Sequence, residues 1–421
     1  MKKIRLNNSK SIQARILILQ AIAAIDDSGS DFDCEGACDF DCVCDDIDEL
    51  YKALNSIVEC SRSQQTQCAD IFIEKSGTAL RFILALCAST KGSYKISLGD
   101  RLSERPIKPL VDALVQLGAD IQCDTADSLS ILTVNGKTLQ GGAVNIDASV
   151  SSQFISALML IAPQMEQGIE INLKGKSVSN KYIHLTADII SKMGGKVYFL
   201  ENKIVVPYFI VSNSEIDIEK CWSSATIWFA LMAVLQCDDF LLEGLNLNSL
   251  HPDRAVVEQF AKLGVGAKQD NEGVILFYNK ELSANKNVEI ELKQSILEID
   301  FNNNPDAVMA FAVAACLCAK PFRLSGVSTL KDKECDRAMA LIAECRKCDF
   351  LLEMNGADDL VWNGEIVGDE SEIPTTVCCY NDHRMAMVLA LLQLRENIII
   401  DSPEVVSKSY PYFWSELQKF F

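Results

Sequence analysis

The chain has 421 residues, of which 49% are hydrophobic and 23% are charged, which is the composition of a globular protein with room for two or three domains. Lys and Arg number 39 against 58 Asp and Glu, a net charge of −19, which repels phosphate backbones and anionic lipid. No apolar run approaches the roughly 20 residues of a membrane span, and the first residues lack the apolar core of a signal peptide. We therefore expect a cytoplasmic protein that binds neither nucleic acid nor a membrane.

The numbers of cysteine and histidine disfavour disulfides and a histidine-rich metal site. The 17 cysteines are odd in number and scattered along the chain, as in proteins of a reducing compartment. The only histidines are His184, His251 and His383. Cys345 and Cys348 form one CxxC without a second pair, so we interpret them as structural thiols.

Charge is concentrated between the first and second predicted elements. Residues 26–50 contain 11 acidic residues and no Lys or Arg. They also contain Cys34, Cys38, Cys42 and Cys44, but this spacing differs from the paired CxxC of a zinc ribbon. The charge run therefore favours a solvated acidic loop over a metal site.

A helical repeat begins near the N-terminus and recurs along the chain. Six times a short polar cluster is followed at once by an Ala-, Leu- or Met-rich run of helical length, and the clusters lie 65 to 82 residues apart. The six helices are predicted to begin near Ser11, Ser76, Ser151, Ser223, Pro305 and Asn381. Each run is nearly apolar on all sides, which predicts a buried helix. The regular spacing predicts one supersecondary unit for each helix.

A predicted strand follows five of these six helices. The strands are GSYKISLGD, GIEINLKG, DDFLLEGL, KPFRLSGV and ENIIIDSP. A second helix then ends in Gly before another strand in LVDALVQLGADIQC, LTADIISKMGGKVYF and VVEQFAKLGVGAKQ, whereas AMALIAECRKCDFLL lacks that Gly. Gly supplies the left-handed residue that ends a helix. Six such units divide into two domains of three, so the sequence predicts the α/β class with pseudo-threefold domains.

Basic residues recur at the predicted helix starts. Lys10 precedes Ser11 and Arg15 follows it by four residues, Arg81 follows Thr78 by three residues, and Arg384 follows NDH. For one helix alone, Ser, Thr, Asp or Asn at the start is more simply an N-cap. A cation at this end opposes the helix dipole. Its repeated occurrence therefore indicates bound anions such as phosphate or carboxylate.

Eight motifs, in order and over essentially the whole chain, resemble those of the 5-enolpyruvylshikimate-3-phosphate (EPSP) synthase family. They are SKSIxxR, GTAxR, DRLSERPIKPLVDAL, SSQFISAL, NPDAVMA, KDKECDR, NDHRMAM and VVSKSYPYFWSEL. The resemblance implies two domains, each of three βαβαββ units with pseudo-threefold symmetry (an inside-out α/β barrel), with a cleft between the domains. We expect domain one to comprise 1–8 and 222–421, and domain two to comprise 9–221 with the acidic loop at 26–50.

The resemblance also implies an activity. Such a transferase moves the carboxyvinyl group of phosphoenolpyruvate to the 5-hydroxyl of shikimate 3-phosphate and releases phosphate, on the route to chorismate and the aromatic amino acids. Addition and elimination through a tetrahedral intermediate require a base and an acid. By the family match, Asp306 is the candidate base at the 5-hydroxyl, and Lys10 and Glu334 are candidates at the methylene carbon. No metal or organic cofactor is implied, and the family predicts a monomer.

Substrate-binding residues follow from the same match. Those implied for shikimate 3-phosphate are Lys10, Ser11, Arg15, Ser151, Ser152, Gln153, Ser179, Tyr182, Asp306 and Lys333. Those implied for phosphoenolpyruvate are Lys10, Gly77, Thr78, Arg81, Arg101, Gln153, Arg337, Arg384 and Lys408. The two substrates bring together on the order of five or six negative charges, which only a dense set of cations can hold.

Two alternatives stay open at this point. A related family transfers the same group to a UDP-linked amino sugar and typically carries a cysteine-bearing loop where this chain has DRLSERP, without cysteine. A non-catalytic anion-binding relative would keep the fold but would not need an acid and a base beside its cations. The chain also departs from the family's usual residues at Lys75 and Phe82, and Lys75 would add positive charge beside phosphoenolpyruvate.

Overall fold

A computed structural model describes residues 1–26, 44–63, 68–126, 129–147, 151–175, 180–212, 216–283, 296–368 and 374–421. The chain forms two units. Unit 1 comprises Met1–Ser9 and Glu219–Phe421, and unit 2 comprises Lys10–Ile218. Each unit has its own cluster of buried apolar side chains.

After β1 (Lys2–Ile4), which belongs to unit 1, the chain enters unit 2. The helices of unit 2 are α1 (Lys10–Asp26), α2 (Asp45–Arg62), α3 (Gly77–Ser89), α4 (Asp100–Ser103), α5 (Lys108–Gln116), α6 (Ser152–Leu160) and α7 (Asn180–Lys192). Its strands are β2 (Cys68–Ile73), β3 (Gly92–Leu98), β4 (Asp120–Ala126), β5 (Leu129–Gly136), β6 (Gly142–Asp147), β7 (Ile169–Lys174), β8 (Tyr198–Leu200) and β9 (Lys203–Val206).

Two sheets of unit 2 have the same topology. Their strand orders are β2-β3-β5-β4 and β6-β7-β9-β8. In each sheet the first two strands are parallel, whereas the last two form an antiparallel hairpin. Helix α3 connects β2 to β3 and helix α6 connects β6 to β7. Because helices α5 and α7 precede the hairpins, each sheet completes a βαβαββ unit.

Unit 1 contains the remaining elements. Its helices are α8 (Trp222–Leu235), α9 (Val256–Ala261), α10 (Lys280–Ser283), α11 (Val308–Leu317), α12 (Arg337–Lys347), α13 (His383–Leu389) and α14 (Phe413–Leu417). Its further strands are β10 (Phe240–Glu243), β11 (Val265–Asp270), β12 (Gly273–Tyr278), β13 (Leu297–Asp300), β14 (Phe322–Ser325), β15 (Glu353–Asn355), β16 (Asp359–Trp362), β17 (Thr375–Val377) and β18 (Ile398–Ile400).

The sheets of unit 1 repeat the topology of unit 2. Their orders are β1-β10-β12-β11 and β13-β14-β16-β15, and β17 forms a parallel pair with β18. The N-terminal strand β1 pairs in parallel with β10, so both ends of the chain contribute to unit 1. Four of the six predicted units are therefore complete in the described residues. The other two are represented by β17-α13-β18 and by the helices α1 and α2.

All six helices and all five strands predicted from the repeat are present. The helices are α1, α3, α6, α8, α11 and α13, and the strands are β3, β7, β10, β14 and β18. In α11 every residue from Val308 to Cys316 is buried, as expected for a helix that is apolar on all sides. Most of the polar side chains of these helices lie near the helix starts, so functional groups gather there.

The ends of the second helices confirm the predicted use of glycine. Gly118, Gly194 and Gly264 follow α5, α7 and α9 with φ values of 94°, 95° and 88°. Asp349 takes the same place after α12 with φ 68°. Its N–H donates to Arg346 O, and the next N–H donates to Cys345 O. The fifth unit therefore keeps the left-handed helix end although its sequence lacks the glycine.

The prediction of a solvated loop across residues 26–50 is wrong at its end. Residues 45–50 form the first turns of α2, where Asp45, Asp46 and Asp48 complement the helix dipole. Cys44 is buried directly before this helix. The predictions for Cys34, Cys38 and Cys42 lie outside the described residues.

Cys345 and Cys348 are both buried, which confirms that they are structural thiols. Burial raises the pKa of both thiols above the ordinary value, and it raises the pKa of Cys348 to about 12. A thiol that stays protonated at neutral pH is a weak nucleophile and a weak metal ligand.

Candidate active site

Unit 1 brings six of the predicted site residues together. This set, called the unit 1 cluster, contains Asp306, Lys333, Glu334, Arg337, Arg384 and Lys408. Asp306 lies in the 3₁₀ turn before α11, Arg337 begins α12, and Arg384 is the second residue of α13. The starts of three helices therefore supply Asp306, Arg337 and Arg384, whereas Lys408 ends the 3₁₀ turn Pro403–Lys408.

Asp306 is surrounded by cations. Its Oδ1 lies 2.7 Å from Arg337 Nη1 and 3.3 Å from Lys333 Nζ, and its Oδ2 lies 3.3 Å from Arg384 Nη2. Burial alone would raise the pKa of Asp306, but attraction to Arg384, Lys333 and Arg337 outweighs burial and holds the pKa well below its ordinary value. The carboxylate is therefore ionised at neutral pH and can accept a proton.

Arg337 is the centre of the unit 1 cluster. Its guanidinium donates to Asp382 Oδ2 from Nε at 2.7 Å, to Asp306 Oδ1 from Nη1 at 2.7 Å and to Glu334 Oε2 from Nη2 at 2.7 Å. Burial would lower the pKa of Arg337, but the carboxylates of Asp382, Glu334 and Asp306 raise it well above the ordinary value. Arg337 is 1% exposed, so it orders three carboxylates before any substrate is bound.

Both carboxylate oxygens of Glu334 are bonded to cations. Its Oε1 accepts from Lys408 Nζ at 2.9 Å, and its Oε2 accepts from Arg337. With Asp382 included, four basic side chains are bonded to three acidic ones in this region. The charges of the unit 1 cluster are therefore largely balanced internally.

Arg15 of unit 2 has a different environment. Nε donates to Thr186 Oγ1 at 2.7 Å, Nη1 to Ser11 O at 2.6 Å and Nη2 to Ser156 Oγ at 3.2 Å. Arg15 is 2% exposed, and it forms no ion pair with a described carboxylate. Burial lowers the pKa of Arg15 to about 10, so its positive charge persists at neutral pH. A buried cation with only neutral partners is suited to bind an anion.

Lys10, at the start of α1, is paired with an acidic residue of α2. Its Nζ lies 2.6 Å from Asp46 Oδ2, and 24% of the Lys10 side chain is exposed against 11% for Asp46. The pair fixes the ammonium group one turn before Arg15. The end of the acidic segment therefore contributes to the candidate site.

The start of α3 carries a second group of cations. Gly77 is its first residue, with the Ser76 hydroxyl as N-cap, and Arg81 Nη1 donates to Gly77 O at 2.8 Å. A methyl group at Gly77 would lie 2.6 Å from Nη1 of both Arg81 and Arg105. The Arg105 side chain forms no hydrogen bond or ion pair with a described residue, and its Nε is buried. Two guanidinium groups therefore converge on Gly77, and a larger residue there would displace one or both of them.

The start of α6 lies beside the start of α3. Gln153 Nε2 donates to Thr78 Oγ1 at 3.1 Å. The hydroxyl of Ser151 caps α6 by accepting from the Gln153 N–H at 3.3 Å, and Ser152 is the first residue of the helix. Hydroxyl, amide and backbone N–H groups at a helix start are the donors that bind phosphate.

The comparisons with known proteins agree on one family. Residues 1–417 match the model of EPSP synthase (3-phosphoshikimate 1-carboxyvinyltransferase). A 3-phosphoshikimate 1-carboxyvinyltransferase of Bacteroides fragilis is 34% identical over 99% of this chain and 94% of its own length. One from Shewanella amazonensis is 31% identical over 84% of this chain and 79% of its own length.

The chain belongs to the EPSP synthase family.

A solved structure shows the same fold. An EPSP synthase of Acinetobacter baumannii superposes with a TM-score of 0.67 at 17% sequence identity, over 99% of this chain and 96% of that one. The resemblance inferred from the eight motifs is confirmed, and so is the two-domain fold of the family that it implied.

Three positions implied by family membership, and the departure at Lys75, lie outside the groups of residues described above. Arg101 is exposed and paired with Glu104. Tyr182 is half-buried, with its ring centre 5.9 Å from the Arg15 guanidinium carbon. Lys75 lies 3.2 Å from Glu74. Ser179 lies outside the described residues.

Three residues of the site were not predicted from the sequence. Asp382 was quoted only as part of NDH, although an Asp directly before a helix signals an N-cap. Asp46 lies in the stretch that the charge run predicts to be a solvated loop, and Arg105 lies in the motif DRLSERPIKPLVDAL without a predicted role. The charge partners of Asp46 and Asp382 are distant in the sequence, so no local pattern could reveal them.

Two further observations concern metal binding and membrane crossing in the part of the chain that the structure describes. No group of three or more His, Cys, Asp or Glu side chains among them is arranged to hold a metal ion. None of the described helices combines the length and the apolar character that a membrane crossing requires.

Proposed function

We propose that this protein transfers the carboxyvinyl group of phosphoenolpyruvate to the 5-hydroxyl of shikimate 3-phosphate and releases phosphate, as a step of the shikimate pathway to the aromatic amino acids. Family membership over residues 1–417 supports this reaction. In the addition step, the 5-hydroxyl of shikimate 3-phosphate loses its proton and its oxygen bonds to C2 of phosphoenolpyruvate. The methylene carbon of phosphoenolpyruvate gains a proton in the same step. In the elimination step, phosphate leaves and the new methyl group returns a proton.

The observation that carries the proposal is the environment of Asp306. Three cations keep this carboxylate ionised, and its two oxygens face them at 2.7 to 3.3 Å. An ionised carboxylate can accept the proton of the 5-hydroxyl. When substrate anions also pair with Arg384 and Lys333, these cations lower the pKa of Asp306 less, so Asp306 becomes a stronger base.

The remaining roles follow the same chemistry. Lys10 and Glu334 are the candidates for proton transfer at the methylene carbon. Arg15 would contact shikimate 3-phosphate, and the hydroxyl and amide donors of Ser151, Ser152 and Gln153 would hold its phosphate. The carboxylate and phosphate of phosphoenolpyruvate would be held by the cations that family membership implies for them, among them Arg81, Arg337, Arg384 and Lys408.

The proposal includes a monomeric, cytoplasmic enzyme. All 14 described cysteines are free thiols, which supports a reducing compartment. Size-exclusion chromatography with light scattering measures the oligomeric state directly.

Phosphate release from phosphoenolpyruvate in the presence of shikimate 3-phosphate tests the reaction. We expect Asp306→Asn to lower kcat by about 10²- to 10⁴-fold, because it removes a general base. Asp300→Asn is a matched control, since Asp300 is an exposed carboxylate of the same unit whose Oδ1 accepts the Asn302 N–H. An Asp306→Asn variant with most of the original rate would refute the base assignment. Phosphate release only with a UDP-linked amino sugar would support the other transferase reaction.

A further inference from the structure

The segment directly before α13 has an unusual backbone. Tyr380 and Asn381 are consecutive non-glycine residues in the left-handed region, with φ values of 56° and 54°. Asn tolerates this region because its short side chain bonds locally, whereas a bulky residue such as Tyr is disfavoured there. Such conformations persist only where the surroundings enforce them, and they cluster at functional sites. Residues 378–382, called the 378–382 turn, therefore need an anchor.

Glu344 of α12 is that anchor. Its Oε1 accepts from the Tyr380 hydroxyl at 2.7 Å, and its Oε2 accepts from the Cys378 N–H at 2.8 Å. The Glu344 side chain is 1% exposed, and Lys347 Nζ lies 2.6 Å from Oε2. Tyr380 is 39% exposed, so this side chain is held at the surface by its hydroxyl rather than by deep packing.

The anchor and the unit 1 cluster share one helix. Glu344 lies seven residues after Arg337 on α12, which places both side chains on the same helix face. Arg337 bonds the carboxylate of Asp382, and Glu344 bonds the other end of the same turn at Cys378. Helix α12 therefore grips the 378–382 turn at two points.

The turn determines where α13 begins. Asp382 Oδ1 accepts from the Arg384 N–H at 2.9 Å as the N-cap of α13. Arg384 Nη2 in turn faces Asp306 Oδ2. A change in the 378–382 turn would move the N-cap carboxylate and the guanidinium of Arg384 together.

We propose that Glu344 is a positioning residue for the reaction, which acts by holding the 378–382 turn in the left-handed conformation that directs Arg384 and Asp382 into the unit 1 cluster. This inference rests on the proposed function. Glu344 itself contacts no reacting atom, because both of its oxygens are bonded to the turn and to Lys347. Its effect should appear in the binding of phosphoenolpyruvate, whose anionic groups Arg384 is implied to hold.

Steady-state kinetics of Tyr380→Phe and Glu344→Gln, with both substrates varied, test this inference. Tyr380→Phe removes only the hydroxyl from a partly exposed side chain, so the variant should fold. Glu344→Gln removes the negative charge and leaves one acceptor oxygen, which can accept from the Tyr380 hydroxyl or from the Cys378 N–H but not hold both as the carboxylate does. We expect each to raise KM for phosphoenolpyruvate about 5- to 10-fold, the size of one lost charge-assisted hydrogen bond. KM for shikimate 3-phosphate should change less than about twofold.

Glu416→Gln and Tyr94→Phe are matched controls. Glu416 is a buried carboxylate of unit 1 that accepts a backbone N–H, from Arg5, and pairs with Lys419 three residues on, as Glu344 does with Cys378 and Lys347. Tyr94 of unit 2 is buried and donates its hydroxyl to Lys91 O at 3.0 Å. These controls should lower the melting temperature without changing the ratio of the two KM values.

A double variant completes the test. If Glu344 and Tyr380 act through one hydrogen bond, Glu344→Gln with Tyr380→Phe should raise KM for phosphoenolpyruvate no more than the stronger single variant does. Equal changes in both KM values, or the same pattern in Glu416→Gln, would overturn the positioning role. Wild-type kinetics in Tyr380→Phe and Glu344→Gln would also overturn it while leaving the proposed function intact. An inactive unsubstituted chain would overturn both.

Discussion

In unit 1 the buried guanidinium of Arg337 bonds three carboxylates, whereas in unit 2 the equally buried guanidinium of Arg15 bonds two hydroxyls and a backbone carbonyl. Burial would lower the pKa of either arginine. In Arg337 the carboxylates reverse this effect, and in Arg15 the pKa falls to about 10. The same residue type therefore has opposite electrostatic surroundings in the two units.

This difference separates two tasks. The unit 1 cluster balances its charges internally, so it can hold an ionised carboxylate, Asp306, in place without a ligand. The cation of Arg15 is desolvated and offset by no described carboxylate, so an incoming anion would supply the missing charge. The surroundings of Asp306 in unit 1 are suited to proton transfer, and those of Arg15 in unit 2 are suited to the capture of an anion.

The largest expected effect comes from breaking the balance in unit 1. Arg337→Met keeps an unbranched apolar chain in place of the apolar part of the arginine side chain. It leaves Asp306, Glu334 and Asp382 close together without the cation that they share. We expect the free energy of unfolding to fall by about 3–5 kcal/mol, because uncompensated buried charges remain. Urea unfolding followed by circular dichroism measures this loss.

Arg323→Met is the matched control for Arg337→Met in the same unit. Arg323 pairs with Asp359 on the surface and is 52% exposed, so its removal should change the urea midpoint little. Equal midpoints for Arg337→Met and the unsubstituted chain would show that the three carboxylates do not depend on Arg337.

Arg15→Met, the same type of substitution in unit 2, should weaken ligand binding rather than stability. In Arg15→Met the former partners keep bonds to each other, since Ser156 Oγ and Thr186 Oγ1 lie 2.8 Å apart and Thr186 also bonds Tyr182 O. We expect stability to be unchanged or higher, because a buried charge is removed. The affinity for shikimate 3-phosphate should fall about 100-fold, as for the loss of charge-assisted hydrogen bonds.

Isothermal calorimetry and melting temperatures check the Arg15→Met prediction together. Shikimate 3-phosphate should raise the melting temperature of the unsubstituted chain, and this shift should be largely lost in the variant. A variant that is strongly destabilised but still binds shikimate 3-phosphate would reverse the comparison between the two arginines.

The fold was predictable from local patterns, and the partners of the charges were not. The six buried helices follow from continuous apolar runs, and the helix ends at Gly118, Gly194 and Gly264 follow from glycine. Asp349 takes the left-handed conformation after α12 although it is not a glycine, so the glycine pattern does not predict this helix end. The pairs Lys10 with Asp46 and Arg337 with Asp382 join positions 36 and 45 residues apart, and only the folded chain brings them together.

The smallest expected effect tests whether the anion-binding character of unit 2 extends to Gly77. Arg105 adds a second guanidinium there without an ion pair of its own, so Arg105→Gln should raise KM for phosphoenolpyruvate by up to about 10-fold. Stability should not fall, because no ion pair is broken and the repulsion between Arg81 and Arg105 is relieved.

Lys108→Gln is the control, since Lys108 lies in the same segment but is exposed and paired with Asp112. If Arg105→Gln instead lowers the melting temperature and leaves both KM values unchanged, Arg105 supports the loop structurally, and the anion-binding role in unit 2 is limited to the surroundings of Arg15.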